Sequence, residues 1–284
     1  MTLPVSPTDR AGVSSDAGAG YPRHESALPD LDARTGRYHL RFARSQADLD
    51  AVLRLRFAVF NLELGEGLDG SFQTGLDDDG LDESFHHLMI VSADTNDVVG
   101  TYRLQTSEMA RAGSGFYSAG EYDVEALPTE VIAESIEIGR ACVSREHRNG
   151  RVLHLLWRGL ASYLSWNRKR YLFGCCSLST LDPDEGRRAY AFLRAAGHVH
   201  PTLQTPAVPA VRCPIDEQVP SDVTYDIPPL FESYLRLGAK VCGPPAIDRQ
   251  FKTIDFLVIL DAAALDRRTY RTFFQDDRAA AKGP

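Results

Sequence analysis

The stretch Ser135–Val143, with the sequence SIEIGRACV, constrains this chain more than any other. Its apolar residues predict a β-strand, but Glu137 and Arg140 interrupt that pattern with opposite charges. Charged side chains are rarely buried in a sheet unless they are paired. Residues three apart on a regular strand point to opposite faces, so a bulge at Gly139 is needed to turn both charges into one cleft. A purely structural ion pair fits the same residues.

The composition excludes several classes of protein. With 284 residues, 43% hydrophobic and 25% charged, the chain resembles an ordinary soluble globular protein of one large or two small domains. Its apolar runs are too short to span a membrane, and the N-terminus does not have the pattern of a secretory signal. Five cysteines without disulfide or metal-ligand spacing favour a reducing cytosol and no metal site. The net charge of −8 argues against a nucleic-acid partner.

Charge is unevenly distributed along the chain. Residues 57–86 contain eight acids and no Lys or Arg, whereas residues 140–170 contain eight basic residues and one acid. A solvated face accounts for many such asymmetries. Here the two blocks flank the proposed cleft, which indicates a cationic ligand on one side and an anionic ligand on the other.

Three regions are expected along the chain. Residues 1–37 are rich in Ala, Gly, Ser, Pro and Asp and predict a disordered tail, residues 38–262 form the domain, and residues 263–284 are a C-terminal extension. Within the domain, alternation at 38–43 predicts a first strand, and Ser45 is placed to cap the helix that follows.

Further elements follow in order: a hairpin (87–104), the Glu137 strand, a helix (153–164), a strand (171–176), a helix (183–196), a surface excursion (200–229), a short helix and a strand (256–260). This order indicates an α/β (α+β) domain in which helices flank a mixed, mostly antiparallel sheet.

Four motifs occur in a fixed order between residues 56 and 140. They are Arg-x-x-x-Phe at Arg56 and Phe60, Asp79-Gly-Leu-Asp82 ahead of His87, Gly100-Thr-Tyr-Arg103, and Glu137-Ile-Gly-Arg140. Through these motifs the chain resembles the GNAT-related N-acyltransferases that use an acyl carrier protein. That group contains the acyl-homoserine-lactone synthases and the ornithine-lipid (lyso-ornithine lipid) synthases. The resemblance spans about residues 38–260, and the segments 172–177, 234–238 and 246–255 are similar to the ornithine-lipid branch.

This resemblance implies a GNAT (acyl-CoA N-acyltransferase-like) fold and an activity. Enzymes of the ornithine-lipid branch move a 3-hydroxyacyl chain from the thioester of acyl carrier protein to the α-amine of ornithine, and relatives acylate glycine, lysine or tyrosine. The expected partners are therefore acyl carrier protein and an amino acid, with no cofactor of the enzyme's own. Because the product is a lyso-lipid, we expect a cytoplasmic enzyme that contacts the inner membrane face transiently.

The resemblance also suggests roles for individual residues. Glu137 is the candidate general base for the attacking amine, and the backbone near Gly139 and Arg140 is the candidate donor to the tetrahedral intermediate. The candidate substrate-binding residues are Arg56, Phe60, Asp79, Asp82, His87 and Arg103. A paired Arg–Asp network among them is either structural or in contact with substrate. The acids of this loop are also candidates for the side-chain ammonium of ornithine, and His87 either lines the cleft or is structural.

The donor site departs from the CoA-using GNAT pattern. Those enzymes carry a Gly-rich run whose amides hold a pyrophosphate at a helix N-terminus. Here Arg151 and Leu153 stand where glycines are expected, so we expect a degraded cradle. Arg145, Arg148 and Arg151 instead fit the single phosphate of phosphopantetheine and an acidic carrier protein, although solubilising charge explains them too.

Three alternatives stay open: a CoA-dependent N-acetyltransferase, a synthase of N-acyl amino acids or acylated signals with another amine, and a non-catalytic module that binds acyl carrier protein. Cys175 and Cys176 lie in an apolar strand and are expected to be buried structural cysteines rather than nucleophiles.

Overall fold

The computed structural model describes residues 20–215 and 224–274, in which nine strands form a single sheet. The strands are β1 (Asp32–Thr35), β2 (Tyr38–Phe42), β3 (His86–Ser92), β4 (Val98–Thr106), β5 (Ser135–Val143), β6 (Tyr171–Leu178), β7 (Lys240–Val241), β8 (Ala246–Asp248) and β9 (Thr253–Asp261). Their order in the sheet is β1-β2-β3-β4-β5-β6-β9-β7, and β8 also pairs with β9. Each pair is antiparallel except β5–β6, which is parallel.

Eight α-helices accompany the sheet in the described ranges. They are α1 (Gln46–Arg56), α2 (Ser71–Thr74), α3 (Ser107–Ala112), α4 (Thr129–Ala133), α5 (Gly150–Trp166), α6 (Pro183–Ala195), α7 (Pro229–Arg236) and α8 (Arg267–Phe274). Ser45 caps α1 by accepting a hydrogen bond from the backbone of Asp48, as predicted. Helix α1 continues as a π-helix, Phe57–Glu63, which shifts the helical register just after Arg56. None of the described helices combines the length and apolar content of a membrane span.

A bulge interrupts the pairing of β4 and β5, as the spacing of charges predicted. Thr101 pairs with Cys142 and Arg103 with Gly139, so two residues of β5, Arg140 and Ala141, lie opposite a single residue of β4. The left-handed backbone conformation falls on Arg140, with φ 48°, rather than on the glycine before it. A bulge leaves its extra residue outside the ladder of hydrogen bonds. The backbone is therefore irregular at the centre of the sheet.

The parallel pair β5–β6 separates next to this bulge. The two strands are in register over only three pairs, ending with Glu137 and Phe173. At the next residue they still lie very close, because a Cβ added to Gly174 would fall 2.0 Å from the carbonyl oxygen of Ile138. The sheet therefore opens after a tight contact that only glycine permits.

The sheet is covered on both faces. Helices α5 to α8 pack on one face, the α5 face, against strand residues such as Tyr102, Leu172 and Val258. On the opposite face, the α1 face, α1 covers β3, and the segments 116–132 and 203–211 cover Phe173 and Leu257. Glu137 pairs with Phe173 and so shares the α1 face.

Two expectations about the chain's outer regions need correction. Residues 20–37 are not a disordered tail, since β1 pairs with β2 along its whole length and the carbonyl of Arg23 accepts a hydrogen bond from buried His86. The excursion at 200–229 is not wholly on the surface, because Thr205 and Ala207 are buried against the sheet. The extension after residue 262 includes α8, whose Phe273 contacts the ring of Trp157. Residues 1–19, 216–223 and 275–284 lie outside the described residues.

Candidate active site

Arg56 lies at the end of α1 with its side chain completely buried and fully paired. Its Nε donates to Oδ2 of Asp77 at 2.7 Å, and its Nη1 donates to Oδ1 of Asp82 at 2.6 Å. Burial alone would raise the pKa of Asp82, but Arg56 and then Arg103 outweigh it and hold that pKa well below its usual range. The pairing is therefore between charged groups.

Arg103 on β4 and Arg140 on β5 meet at a second carboxylate. Nη1 of Arg103 donates to Asp79 at 2.6 Å and to Asp82 at 3.1 Å, while Nη2 of Arg140 donates to Asp79 at 3.1 Å. Three guanidiniums thus form one network with three carboxylates, which are those of Asp77, Asp79 and Asp82. Since the formal charges cancel, Asp79 and Asp82 hold no spare negative charge for an ammonium ligand.

Aromatic rings enclose this network. Arg103 lies 4.5 Å from the ring centre of Phe85, and Arg140 lies 4.3 Å from that of Phe251. Phe60 is nearly buried and contacts Phe251 edge to face at 5.2 Å. The predicted residue Phe60 therefore lies beneath the network as part of its apolar support.

His87 is buried, and its Nε2 donates to the backbone oxygen of Asp82 at 3.0 Å. Burial lowers the pKa of His87 to about 4, although Asp82 acts against that change. The imidazole is therefore neutral near pH 7 and holds the acidic loop against β3. Of the two roles left open for His87, this geometry supports the structural one.

Glu137 accepts hydrogen bonds on both carboxylate oxygens. Gln105 Nε2 and the backbone N–H of Tyr117 donate to Oε2 at 2.6 and 2.9 Å. The backbone N–H and hydroxyl of Ser118 both donate to Oε1 at 2.7 Å. Four donors thus fix both oxygens of this buried carboxylate in one position. The base role of Glu137 stays a prediction, and the geometry is that of a carboxylate that holds residues 117–118.

Arg140 contacts the same short loop from the other side. Its Nη1 and Nη2 lie 3.3 and 3.2 Å from the hydroxyl of Tyr117, and its guanidinium stacks on that ring at 4.8 Å. The bulge therefore does bring Glu137 and Arg140 to one place, as the sequence predicts. They meet through the loop at Tyr117 and Ser118 rather than by pairing with each other.

The N-terminus of α5 is occupied by its own cap. Oδ1 of Asn149 accepts from the backbone N–H groups of Arg151 and Val152, both at 3.1 Å. In a helix N-terminus that holds a phosphate, such groups point at the ligand instead. Arg145, Arg148 and Arg151 are all exposed, and Arg148 forms a two-point ion pair with Glu63 at 2.6 and 2.8 Å. Of the three predicted carrier-binding arginines, Arg148 is therefore the one already paired with a carboxylate.

A small apolar cavity lies on the α5 face where β5 and β6 separate. Its volume is about 20 Å³, and its lining includes Ile138, Gly174, Cys176, Tyr234 and Val258. One water needs about 10–15 Å³, so an acyl chain requires these side chains to move apart. Burial raises the pKa of Cys176 well above that of a free thiol, in keeping with a structural cysteine.

Several residues of the site were not predicted. Asp77 completes the charge balance, Tyr117 and Ser118 hold the two charges of β5, and Gln105 is the fourth donor to Glu137. The predicted network contained three arginines and only two acids, and this unequal charge indicated that a third acid belongs to it. Tyr117 and Ser118 lie in an irregular segment whose sequence has no period to identify them.

The fold is that of the GNAT class of acyltransferases, since a mostly antiparallel sheet opens at one parallel pair beside a bulge in the strand that precedes α5. Residues 55–158 match the acetyltransferase (GNAT) domain family. The chain belongs to the L-ornithine N(alpha)-acyltransferase family. It is 31% identical over 261 residues to L-ornithine N(alpha)-acyltransferase of Agrobacterium fabrum, covering 87% of this chain and 89% of that protein. It is 32% identical over 249 residues to the Brucella abortus protein of that name, covering 83% and 88%.

Among solved structures, the crystal structure of the AHL synthase LasI is similar to this chain with a TM-score of 0.48 and 13% identity, covering 85% of this chain and 96% of that one.

Proposed function

We propose that this chain transfers a 3-hydroxyacyl group from the phosphopantetheine thioester of acyl carrier protein to the α-amine of ornithine, giving a lyso-ornithine lipid. The observation that carries the proposal is sequence similarity over nearly the whole chain to two enzymes named L-ornithine N(alpha)-acyltransferase. The opened sheet and its bulge supply a place where a thioester and an amine can meet.

In this proposal the two substrates approach the opening between β5 and β6 from opposite faces. The thioester enters from the α5 face, where the apolar cavity lies. The amine enters from the α1 face, beside Tyr117 and Glu137. Attack of the neutral amine nitrogen on the thioester carbon forms a tetrahedral intermediate. Its collapse breaks the C–S bond, and the proton lost by the nitrogen passes to the departing sulfur, so the carrier leaves as its thiol. An unpaired backbone N–H at the bulge is the candidate donor to the developing oxyanion.

The occupied N-terminus of α5 supports acyl carrier protein rather than CoA as the donor. Asn149 already satisfies two of the backbone donors that a pyrophosphate would need. Phosphopantetheine on a carrier brings one phosphate and an acidic protein surface. The exposed Arg145 and Arg151 suit both of these charges.

The test uses the purified full chain with ornithine and three donors: 3-hydroxyacyl carrier protein, the same 3-hydroxyacyl group on CoA, and acetyl-CoA. Mass spectrometry of the products should show N-acylated ornithine, formed fastest from the carrier protein. Acylation from acetyl-CoA alone would reject the donor. Replacement of ornithine by glycine, lysine or tyrosine tests the acceptor, and a faster reaction with one of these would reject ornithine.

Charge reversal tests the carrier-binding surface. The double variant Arg145→Glu, Arg151→Glu should raise KM for the acyl carrier protein about 10-fold or more and leave KM for ornithine unchanged. Arg111→Glu, which reverses an exposed arginine on a different helix, α3, is the control. Equal KM values for the reversed and control variants would show that the carrier binds elsewhere.

We also propose that product release occurs at the inner membrane face. The product is amphiphilic, and the segment after α1 exposes three large apolar side chains: Leu62, Leu64 and Phe72. Sedimentation of the chain with anionic phospholipid vesicles should decrease when Leu62 and Phe72 are both replaced by Asp. Unchanged sedimentation would place the contact elsewhere.

A further inference from the structure

Four carboxylates on the α1 face have no cationic partner in the described part of the chain. Unlike the acids of the Arg–Asp network, they form no ion pair within 4 Å with a described Lys or Arg. The side chains are Glu66, Glu121, Asp248 and Asp255, called here the acidic pocket. Glu66, Glu121 and Asp255 are only 7%, 6% and 5% exposed. Uncompensated charge at such depth is costly, so a site of this kind needs an explanation.

The acidic pocket also contains polar atoms that lack hydrogen-bond partners. Oδ1 of Asp255 and the hydroxyl of Thr253 are buried and have no partner, although both residues lie on the well-paired strand β9. Ligand atoms of Glu121, Cys175 and Asp255 all lie within 4.8 Å of one another. The neighbouring Lys252 is directed away and pairs with Asp69 at 2.7 Å. An unfilled acceptor beside clustered carboxylates is the arrangement that a small cation with several N–H donors satisfies.

The acidic pocket is connected to the reaction site through two side chains. Sγ of Cys175 lies 3.7 Å from Oε2 of Glu121 and 3.9 Å from the hydroxyl of Ser118. Ser118 in turn donates to Glu137. Cys175 immediately follows Gly174, at the point where β6 leaves β5. The pocket is therefore close to the opening in the sheet and on the face from which the amine is proposed to enter.

We propose that the acidic pocket binds the side-chain ammonium of the acceptor amino acid, so that its α-amine is directed at the thioester. This inference rests on the proposed function and assigns the residues that recognise the side-chain amine of the acceptor. It also replaces the expectation that Asp79 and Asp82 receive this ammonium, since arginines already neutralise both. Glu66, which belongs to the same acidic stretch of sequence, is directed to the pocket and accepts a hydrogen bond from Ser179.

The titration behaviour of the acidic pocket agrees with this assignment. Burial, and then the charges of Asp255 and Asp248, raise the pKa of Glu121 well above its ordinary value. Burial and the charge of Asp248 likewise raise the pKa of Asp255, and burial raises that of Glu66. A bound ammonium would act in the opposite direction and lower these pKa values.

The test compares ornithine with norvaline, which has the same carbon chain but no side-chain amine. For the wild-type chain, kcat/KM should favour ornithine by roughly 100-fold or more, because norvaline leaves the buried carboxylates unpaired. Glu121→Gln and Asp255→Asn should each raise KM for ornithine about 10- to 100-fold and leave KM for the acyl donor unchanged. Both variants should reduce the preference over norvaline by a similar factor. The control Glu125→Gln changes an exposed carboxylate four residues from Glu121 and should behave as wild type.

The outcomes separate this inference from the proposed function. If the wild type acylates ornithine and both variants keep its preference over norvaline, the pocket assignment is wrong and the proposed function stands. If neither amino acid is acylated, the proposed function itself fails. A thermal-shift readout is independent of turnover: ornithine should raise the Tm of the wild type more than norvaline does, and Asp255→Asn should abolish the difference. Loss of activity with a chelator, restored by a divalent cation only in the wild type, would instead make the pocket a metal site.

Discussion

Ser118 donates two hydrogen bonds to one oxygen of Glu137, from its backbone N–H and from its hydroxyl, both at 2.7 Å. Tyr117 donates its backbone N–H to the other oxygen, and its hydroxyl contacts Arg140. The charged pair at the centre of β5 therefore holds this loop, in addition to the contact of Glu137 with Gln105 on the partner strand β4. Three residues further along, that loop carries Glu121 into the acidic pocket. A change at Glu137 should thus alter the acceptor site even if this carboxylate never takes a proton.

Glu137→Gln separates a base from a positioning residue. The amide retains the shape of the side chain but places an N–H₂ group against donors, so the free energy of unfolding should fall by about 1–3 kcal/mol. If Glu137 is a positioning residue, the Glu137→Gln variant should have a higher KM for ornithine, and the acidic limb of its pH profile of kcat/KM should be the same as in the wild type. Ser118→Ala should produce the same changes more weakly, and Ser114→Ala, an exposed serine of the same segment, is the control. Loss of the acidic limb in Glu137→Gln, with stability unchanged, would identify it as the base instead.

Arg56→Ala tests the buried network. Removal of this guanidinium leaves the carboxylates of Asp77 and Asp82 buried with less compensation, so the free energy of unfolding should fall by about 3–5 kcal/mol. Arg54→Ala on the same helix is the matched control, since Arg54 is 61% exposed and its ion pair with Asp50 spans 3.9 Å. Urea denaturation followed by circular dichroism measures both. A loss below about 1 kcal/mol for Arg56→Ala would show that the network does not stabilise the fold.

The centre of the fold was predictable because charge spacing and strand pattern are local. The bulge follows from the positions of Glu137 and Arg140, and the order of strands and helices follows from periodicity. The bulge was predicted at Gly139, whereas the residues that lie opposite one residue of β4 are Arg140 and Ala141, and Arg140 has the left-handed conformation that glycine tolerates most easily. Arg140 adopts it because ion pairs and ring contacts hold its side chain.

Other features depend on contacts between distant segments and have no local signal. Strand β1 contains no apolar alternation, and it forms because it completes the hydrogen bonds of β2. Asp77 is one of three consecutive aspartates, and only the fold shows that it faces Arg56. Glu121 and Asp255 are far apart in sequence and meet because the segment 116–132 packs on strands β6 and β9.

The acidic pocket should make stability depend on pH in a defined direction. Because folding raises the pKa of Glu121, the protonated carboxyl contributes fully to the free energy of unfolding below its ordinary pKa of about 4.5. This contribution is lost as the pH rises through the raised pKa, and the free energy of unfolding falls by up to about 1.4 kcal/mol per pH unit. In the absence of ornithine, Glu121→Gln should therefore unfold at a higher temperature than wild type above neutral pH, and the difference should shrink towards pH 5. Thermal melts across that range measure this. Parallel curves for the variant, the wild type and Glu125→Gln would contradict it.

Gly174→Ala tests the contact from which the sheet opens. The new Cβ would lie 2.0 Å from the carbonyl oxygen of Ile138, so β5 and β6 must move apart. Backbone cannot yield as a flexible side chain does, and the free energy of unfolding should fall by about 1–3 kcal/mol or more. Gly139→Ala is the matched control on the facing strand, because a Cβ there would meet nothing within 4 Å and the residue has no positive φ. Denaturation should show a lower free energy of unfolding for Gly174→Ala and little change for Gly139→Ala.

Because the thioester is proposed to enter at this opening, Gly174→Ala should also raise KM for the acyl donor. Two variants of equal stability and equal KM would show that the strands are free to separate there and that the glycine is not required.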